Sequence, residues 1–565
     1  MTTLSRNYLC LFFAQLLVGL FISNAYAENQ ISYPLIQQES AYAEILIDLD
    51  MPFAIENGHL SQKVVKQWGE SGSQDEHVQF LFDFGDELSE IQFTRADGVG
   101  SHVLPDGERL LSTFSRTPTG GRMTGPNAQS CAACHNVPLG NGAGHNIANV
   151  MQDPDPQTAG LFNARQTIAI NGGGIIQILA KEMTTELQHL KNVAIQNPGL
   201  VVPLDVKEGV VSFSSIQCHV DETCNFENVI GISPDLIVRP QGWKGNFPTM
   251  RGFSADAALG EMGMEPEELA WKLHTPRLSG ERPLLDGDGD GVSLELSVGD
   301  ITALTIYMAM QETPTTLTEL DEEGSLILSS EDKERIHLGE ELFSLPIEQG
   351  GAHCSSCHTP AITVDSTLFM EPSNRASLAY VDQDLMRRDP SYSPLAPITI
   401  DLSSDLVDQP RVKKLADGST VLHLFSDLKR HKMGEYLADN AKQYFPLTAG
   451  LYKVTELPDD ADEASKNSLS TLIRKDEFLT PELWGVGSTG PWLHDGRATT
   501  LKEAIEFHGG EAEEHAKAFA FLAKPEQDAV IAFLLNLIYI DKEEDETNTG
   551  GHSETEELIS AISQM

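Results

Sequence analysis

Cationic residues are scarce in this chain: 38 Lys and Arg stand against 84 Asp and Glu, for a formal charge of −46 at pH 7. Such a surplus repels polyanions and acidic membrane surfaces, which argues against nucleic acid as a partner. It keeps the chain soluble and would speed encounter with a basic protein. Long apolar runs are missing after the first 27 residues, so no membrane span is expected once that leader is removed. Strand signals are few and short, so the expected fold class is mainly α with long loops. Cysteine is also rare: seven in 565 residues, and Cys10 lies inside the leader. The six that remain are not scattered.

The leader itself has one positive side chain, Arg6, an apolar run from about Tyr8 to Ile22, and a small-x-small end at Ala25-Tyr26-Ala27. This layout predicts a signal peptide over 1–27 and a mature chain starting near Glu28, exported to a bacterial periplasm. In that oxidising compartment the close pair Cys218 and Cys224 reads as a short-loop disulfide.

The other four cysteines form one figure used twice: "SCAACHNVP", with Cys131, Cys134 and His135, and "HCSSCHTPA", with Cys354, Cys357 and His358. A zinc site wants its second C-x-x-C some 15–20 residues away. Here the pairs lie more than two hundred residues apart. A thioredoxin-like pair wants a βαβ context, whereas Cys131 sits in the loop "GPNAQSCAACHNVPLGNGAG". Neither alternative uses the histidine. Covalent haem attachment uses all three residues. Positions i and i+3 share one face of a helical turn, so both thiols reach the two vinyl groups of one porphyrin. The next residue then presents its imidazole to the iron. His135 and His358 are on this reading the proximal ligands of two haem c groups.

Each motif follows an apolar-periodic segment with a Gly-Asp/Glu-Glu-Leu figure, "FGDELSEIQF" in one case and "LGEELFSLPI" in the other. That echo predicts two cytochrome c-like domains in tandem. Their expected bounds are 76–325 and 326–540, after an N-terminal extension over 28–75. The polar, Pro-bearing "ETPTTLTELDEEGSLILSS" is the expected linker. Residues 541–565 read as an acidic, disordered tail.

The chain resembles the bacterial di-haem oxidoreductases, relatives of the di-haem cytochrome c peroxidases, from about Phe80 to Ile540. The resemblance is carried by "NAQSCAACHNVP", "GWKGNFPTMRGFSADAALGEMG", "FSDLKRHKMGEYLAD" and, most specifically, "FLTPELWGVGSTGPWLHDGRATTLKEAIEFHGGEA". It implies that His508 is the distal ligand of the second iron, where many relatives have Met or Tyr. Bis-histidine ligation would lower that haem's potential relative to His/Met. For the first iron His145, Met151 and an open position all remain in play. Roles for His431, Met433, Trp243 (electron relay or packing) and Glu261 (acid/base or surface carboxylate) stay open. "DGDGDGVSLELS" offers Asp286, Asp288 and Asp290 as the front half of an EF-hand-like calcium loop, or a solvated acidic turn. A full loop would place Glu at the twelfth position, where Ser297 stands. Glu295 comes two places early.

The resemblance implies a peroxidase-type oxidoreductase. Its expected partners are peroxide or another small oxidant, and a small electron-donor cytochrome or cupredoxin. The alternatives are an electron-transfer protein without turnover, and a di-haem oxygenase or maturation enzyme acting on an organic or protein substrate.

Overall fold

The computed structural model describes residues 40–45, 51–99, 115–116, 123–124, 128–138, 140–144, 149–152, 162–267, 292, 294–371, 397–404, 406, 412–439, 443–446, 454–456, 470–539 and 559–564. The leader, His145 and the aspartates at 286, 288 and 290 lie outside them, and the side chain of Met151 is not described. No helix among the described residues is long and apolar enough to cross a membrane.

Helix outweighs strand among these residues. The principal helices are α1 (Gln62–Ser71), α2 (Asp75–Glu90), α3 (Gly173–Gln196), α4 (Met250–Ala257), α5 (Val298–Ala309), α6 (Ser330–Ser344), α7 (Leu501–Glu506), α8 (Glu513–Phe521) and α9 (Lys524–Leu535). The strands are short. The main sheet pairs β1 (Val201–Val206) with β2 (Val211–Cys218) and β2 with β3 (Cys224–Asn225), all antiparallel. A parallel strand at Val454–Glu456 is added beside β3. Cys218 and Cys224 are register partners on β2 and β3 and form a disulfide, with Cα atoms 3.9 Å apart.

One helix pair is built twice. α2 crosses α5, and at the crossing a Cβ on Gly85 would collide with the Ala303 carbonyl. α6 crosses α9, and there a Cβ on Gly339 would collide with the Ala529 carbonyl. Gly85 and Gly339 are the glycines of the two echoing figures. The leucine three places on, Leu88 or Leu342, is buried in both. The repeat in the sequence is therefore a repeat of backbone approach: only glycine lets each leading helix touch its later partner. α5 is buried along its whole length and is started by Ser297, whose hydroxyl accepts from Asp300 N–H while Asp300 accepts from Ser297 N–H.

The apolar side chains form two clusters. The first joins α2 to α5 and the main sheet with Ile362, Phe369, Ile400, Leu424, Leu428 and Trp484. The second gathers α6, α9, Leu317, Leu320, Leu501 and Phe519. The expected boundary at 325/326 therefore does not separate the two cores, because Ile362, Phe369, Ile400, Leu424 and Leu428 pack with the first. Within the expected N-terminal extension, Tyr42, Leu60, Val65 and Trp68 are buried in that core. The expected linker is folded: Leu317–Glu323 is a helix with a Thr316/Glu319 capping box, and Leu317 and Leu320 are buried. Its polar residues are caps, not a solvated tether. The tail also ends in structure. Residues 559–564 are helical, and Ile562 is fully buried in the second cluster. Its carbonyl accepts from Arg335, and Ser563 Oγ donates to Asp332 Oδ2 at 3.2 Å.

Candidate functional site

Both C-x-x-C-H segments are single tight turns. His135 N–H and Cys134 N–H each donate to the Cys131 carbonyl at 3.0 Å. His358 N–H donates to the Cys354 carbonyl at 3.0 Å, and Cys357 N–H donates to it at 3.2 Å. All four cysteines are free thiols and partly accessible. Burial pushes the Cys131 thiol up to about 11 and the Cys354 thiol up to about 12. Burial also raises Cys134, helped by the charge of Glu261. That places Glu261, in the turn Ala258–Met262, beside the first motif.

The histidines are oriented by backbone carbonyls. His135 Nδ1–H donates to Gly142 O at 3.3 Å, and His358 Nδ1–H donates to Phe425 O at 3.0 Å. A carbonyl only accepts, so Nδ1 carries the proton and Nε2 keeps its lone pair. His508 follows α7, whose Thr500/Glu503 capping box fixes the helix start. Its Nδ1–H donates to Ala504 O at 2.7 Å, again freeing Nε2. Burial lowers all three imidazoles, and His358 reaches about 4, with His508 as the second cause. His358 and His508, neutral and with Nε2 free, are suited to a metal, while the His135 ring meets the Ile168 backbone as well as Gly142.

His358 and His508 face one cavity of about 240 Å³, together with Cys354 and Cys357. Phe343, Trp484, Trp492, Leu501, Val530 and Leu534 supply apolar walls. The indole Nε1 of Trp484 is buried and finds no acceptor among the described residues. Two vicinal thiols, two imidazole nitrogens on one cavity, an apolar lining and an unmatched N–H donor fit a porphyrin with its carboxylates. His358, His508, Cys354 and Cys357 are the residues that would hold it. The chain turns away behind His508 at Gly509-Gly510. Gly510 has φ +54°, and a Cβ there would strike the Lys432 carbonyl, so the loop lies directly against β4 (Arg430–Lys432).

β4 brings His431, and the residue that follows the strand, Met433, to the same cavity. It pairs antiparallel with β5 (Glu477–Leu479). His431 Nε2 meets Asp427 Oδ2 at 3.0 Å and Nδ1 meets Glu511 Oε2 at 2.9 Å. Burial alone would lower this imidazole, but Asp427, the Cys357 thiol and Glu511 drive it up to about 11, so it is an imidazolium at neutral pH. Met433 lines the same cavity as His508, and its N–H donates to Asp476 O at 2.7 Å.

A buried ion cluster closes one side of the site. Arg165 grips Asp439 at 2.7 and 2.8 Å, Lys244 Nζ lies 3.0 Å from the same carboxylate, and His494 Nε2 lies 3.6 Å away. Lys244 also donates to the carbonyls of Arg474, Lys475 and Glu477 and lies 3.6 Å above the Phe478 ring. Burial would raise the Asp439 carboxyl, but Arg165 and Lys244 hold it below the usual range. Burial and Arg165 push His494 down to about 4. Nothing in the sequence signals this cluster, because its members are up to 329 positions apart. Trp243 Nε1–H donates to Gln166 O at 2.7 Å, and Gln166 N–H donates to His494 O at 2.7 Å. Trp243 thus lies on the wall of the His358/His508 cavity, in the segment that leads back to the first motif.

The half-loop ending at Ser297 is spoken for at its described end. Ser297 caps α5, and Glu295 accepts from Glu265 N–H. No cluster of three or more potential metal-ligating His, Cys, Asp or Glu residues occurs among the described residues.

The described site is thus a cavity lined by the imidazoles of His358 and His508 and by two vicinal thiols, and the C-x-x-C-H turn that supplies His358 and both thiols occurs twice in the chain. Residues 452–537 match the family described as "Di-haem oxidoreductase, putative peroxidase", a span that contains His494 and His508 and follows the second C-x-x-C-H motif. The chain is similar to that family over this span, and the family implies haem cofactors. No curated protein sequence matches the chain. Among solved structures, it is similar to hydrazine synthase of Kuenenia stuttgartiensis, at 14% identity and TM-score 0.31, over 86% of this chain and 98% of that one. It is also similar to a MauG-like protein associated with microbial copper homeostasis, at 14% identity and TM-score 0.25, over 63% of this chain and 89% of that one. Neither superposition is close enough to inform the fold.

Proposed function

We propose that the protein is a periplasmic di-haem c-type oxidoreductase that reduces peroxide with electrons from a small donor cytochrome or cupredoxin. The observation that carries this reading is the cavity on which His358 and His508 converge beside two free, vicinal thiols. Haem, when bound, supplies the redox chemistry, and two irons in one chain store the two electrons that convert one peroxide and two protons into two waters. Cys354 and Cys357 would anchor one porphyrin through thioether bonds, and His358 and His508 would supply ligands to its iron. Cys131, Cys134 and His135 anchor the other, which the family resemblance makes the oxidant-binding one. The His358/His508 site is then the electron-relay site, with Trp243 on its wall. The acidic surface draws a basic donor, an effect that salt weakens.

The test is a haem count with spectra. Denatured protein should keep two covalent haems, and joint Cys131→Ala and Cys134→Ala substitution should leave one. His508→Met should leave the second iron six-coordinate at a higher potential, and His508→Gly should give a high-spin signal. Zinc in place of iron, with no Soret band, would overturn the reading. Peroxide turnover with a reduced cytochrome separates this proposal from a pure carrier and from an oxygenase.

A further inference from the structure

Glu482 follows Thr480-Pro481 at the point where the haem-sized cavity meets a second, smaller one of about 40 Å³. It lines both. Its carboxylate forms no ion pair and no side-chain hydrogen bond among the described residues, and only its own backbone N–H reaches it. Glu482 is partly exposed where it opens onto the two cavities, and with no cation paired to it among the described residues the anion is held less well there than in bulk water. Burial accordingly pushes its carboxyl above the usual range.

The surroundings are poor in fixed charge but not in polarity. Tyr539 faces Glu482, and burial together with the Glu482 charge raises its phenol. The other titratable groups on the larger cavity's wall include His358, His431, His494, His508 and Glu511. The smaller cavity brings no further titratable group to Glu482. It is lined by Ile168 to Asn171, Pro240 to Trp243, Leu479 and Pro481. Gln166 Oε1 on the larger cavity and Asn171 Oδ1 on the smaller are buried acceptors with no donor among the described residues. A space of this size with such acceptors suits one or two ordered waters. The backbone of Ile168, on the same wall, bonds the His135 imidazole.

We propose that Glu482 is the proton-exchanging group coupled to electron transfer at the His358/His508 haem. The inference rests on the haem reading above and goes beyond it. Reduction, by the donor, of a haem held there would lower the positive charge at the cavity by one, and the Glu482 carboxylate would then take one proton from solvent. When the electron leaves, the carboxylic acid returns that proton. Electron and proton are thus gained together and lost together, which suits a reaction that consumes one proton per electron. The smaller cavity is the route by which the proton arrives and leaves.

The test uses the full chain with both haems attached. Spectroelectrochemical titration of wild type should show the potential of the His358/His508 haem falling with rising pH, with a slope of one proton per electron over the window where Glu482 titrates. Glu482→Gln should flatten that slope while leaving the Soret band and haem count intact. Glu482→Asp should restore part of it. Redox-difference infrared spectra should show a carboxylic acid band that grows on reduction, shifts in D₂O and is missing in Glu482→Gln. An unchanged slope in Glu482→Gln, with two covalent haems present, overturns the assignment of Glu482 alone. Absence of covalent haem on Cys354 and Cys357 overturns the haem reading, and this inference falls with it.

Discussion

Replacing Asp439 by Asn keeps the size of the side chain and removes the one carboxylate at the centre of the buried cluster. Two bonds to Arg165, at 2.7 and 2.8 Å, lose their charged acceptor. Lys244, 3.0 Å away, loses its counter-charge as well. The side chains of Arg165, Asp439 and Lys244 are all less than a tenth exposed, so water cannot take over. Breaking a buried pair from one side costs about 3–5 kcal/mol, a large part of the ~5–15 kcal/mol that holds most domains folded. The loss should depend on pH in a stated direction. Asp439 has a depressed carboxyl, so its contribution is complete above the ordinary carboxylate range and fades as pH falls through its folded value. Lys244 is already lowered to about 8, first by burial. Without Asp439 it gives up its proton more easily, so the deficit of Asp439→Asn should shrink above about pH 8. Urea melts followed by tryptophan fluorescence at pH 7 and pH 9 measure both effects. Adding Arg165→Met should recover part of the loss, because the unpaired cation goes with it. A cost below about 1 kcal/mol at pH 7 would refute the claim that this cluster is dry and mutually compensated.

Two further outcomes follow from contacts at the second core. Ile562→Ala should destabilise the 559–564 segment by about 2 kcal/mol, read as faster carboxypeptidase release of the C-terminus with the haem spectra unchanged. His431 has a folded value of about 11, above the ~6.5 of a free imidazole. Its contribution is therefore full below about pH 6.5 and is lost as pH rises toward 11. His431→Gln should cost about 1.5–3 kcal/mol at pH 6 and less at pH 9, measured as shifts in urea midpoint.

What could be read in advance was whatever the chain writes contiguously. The C-x-x-C-H turns are local, so residue types and spacing carry the whole signal. The Gly-Asp/Glu-Glu-Leu echo was legible as a repeat, although the sequence could not say that Gly85 and Gly339 each sit under a crossing helix. His508 was legible only through the resemblance, since nothing near it in sequence names His358 as its neighbour. Thr316 and Glu319 made the Leu317 helix look like a linker, because capping residues and solvated residues are the same chemical types. The single isoleucine that seats the C-terminal segment was hidden in an acidic context. Asp439, Arg165 and Lys244 read as ordinary surface charges until the fold put Asp439 2.7 Å from one cation and 3.0 Å from the other. Glu482 sits inside the family-like stretch as one more carboxylate among many, and only the two cavities distinguish it.

The placement of Leu424, Phe425 and Leu428 has a consequence for how the molecule is made. Leu424 and Leu428 belong to the first core, whereas Phe425 between them belongs to the second and lends its carbonyl to His358. As synthesis proceeds from the N-terminus, the first core cannot close when residue 325 has emerged, nor when the second haem turn has. It waits for the strip at 424–428 and then for Trp484. An N-terminal fragment cut at the apparent module boundary would keep an uncovered apolar face. Such faces are aggregation-prone, so neither haem unit should be obtainable as a separately folding piece. The two echoing helix pairs look like beads on a string, but the thread passes back through the first bead before the second is finished.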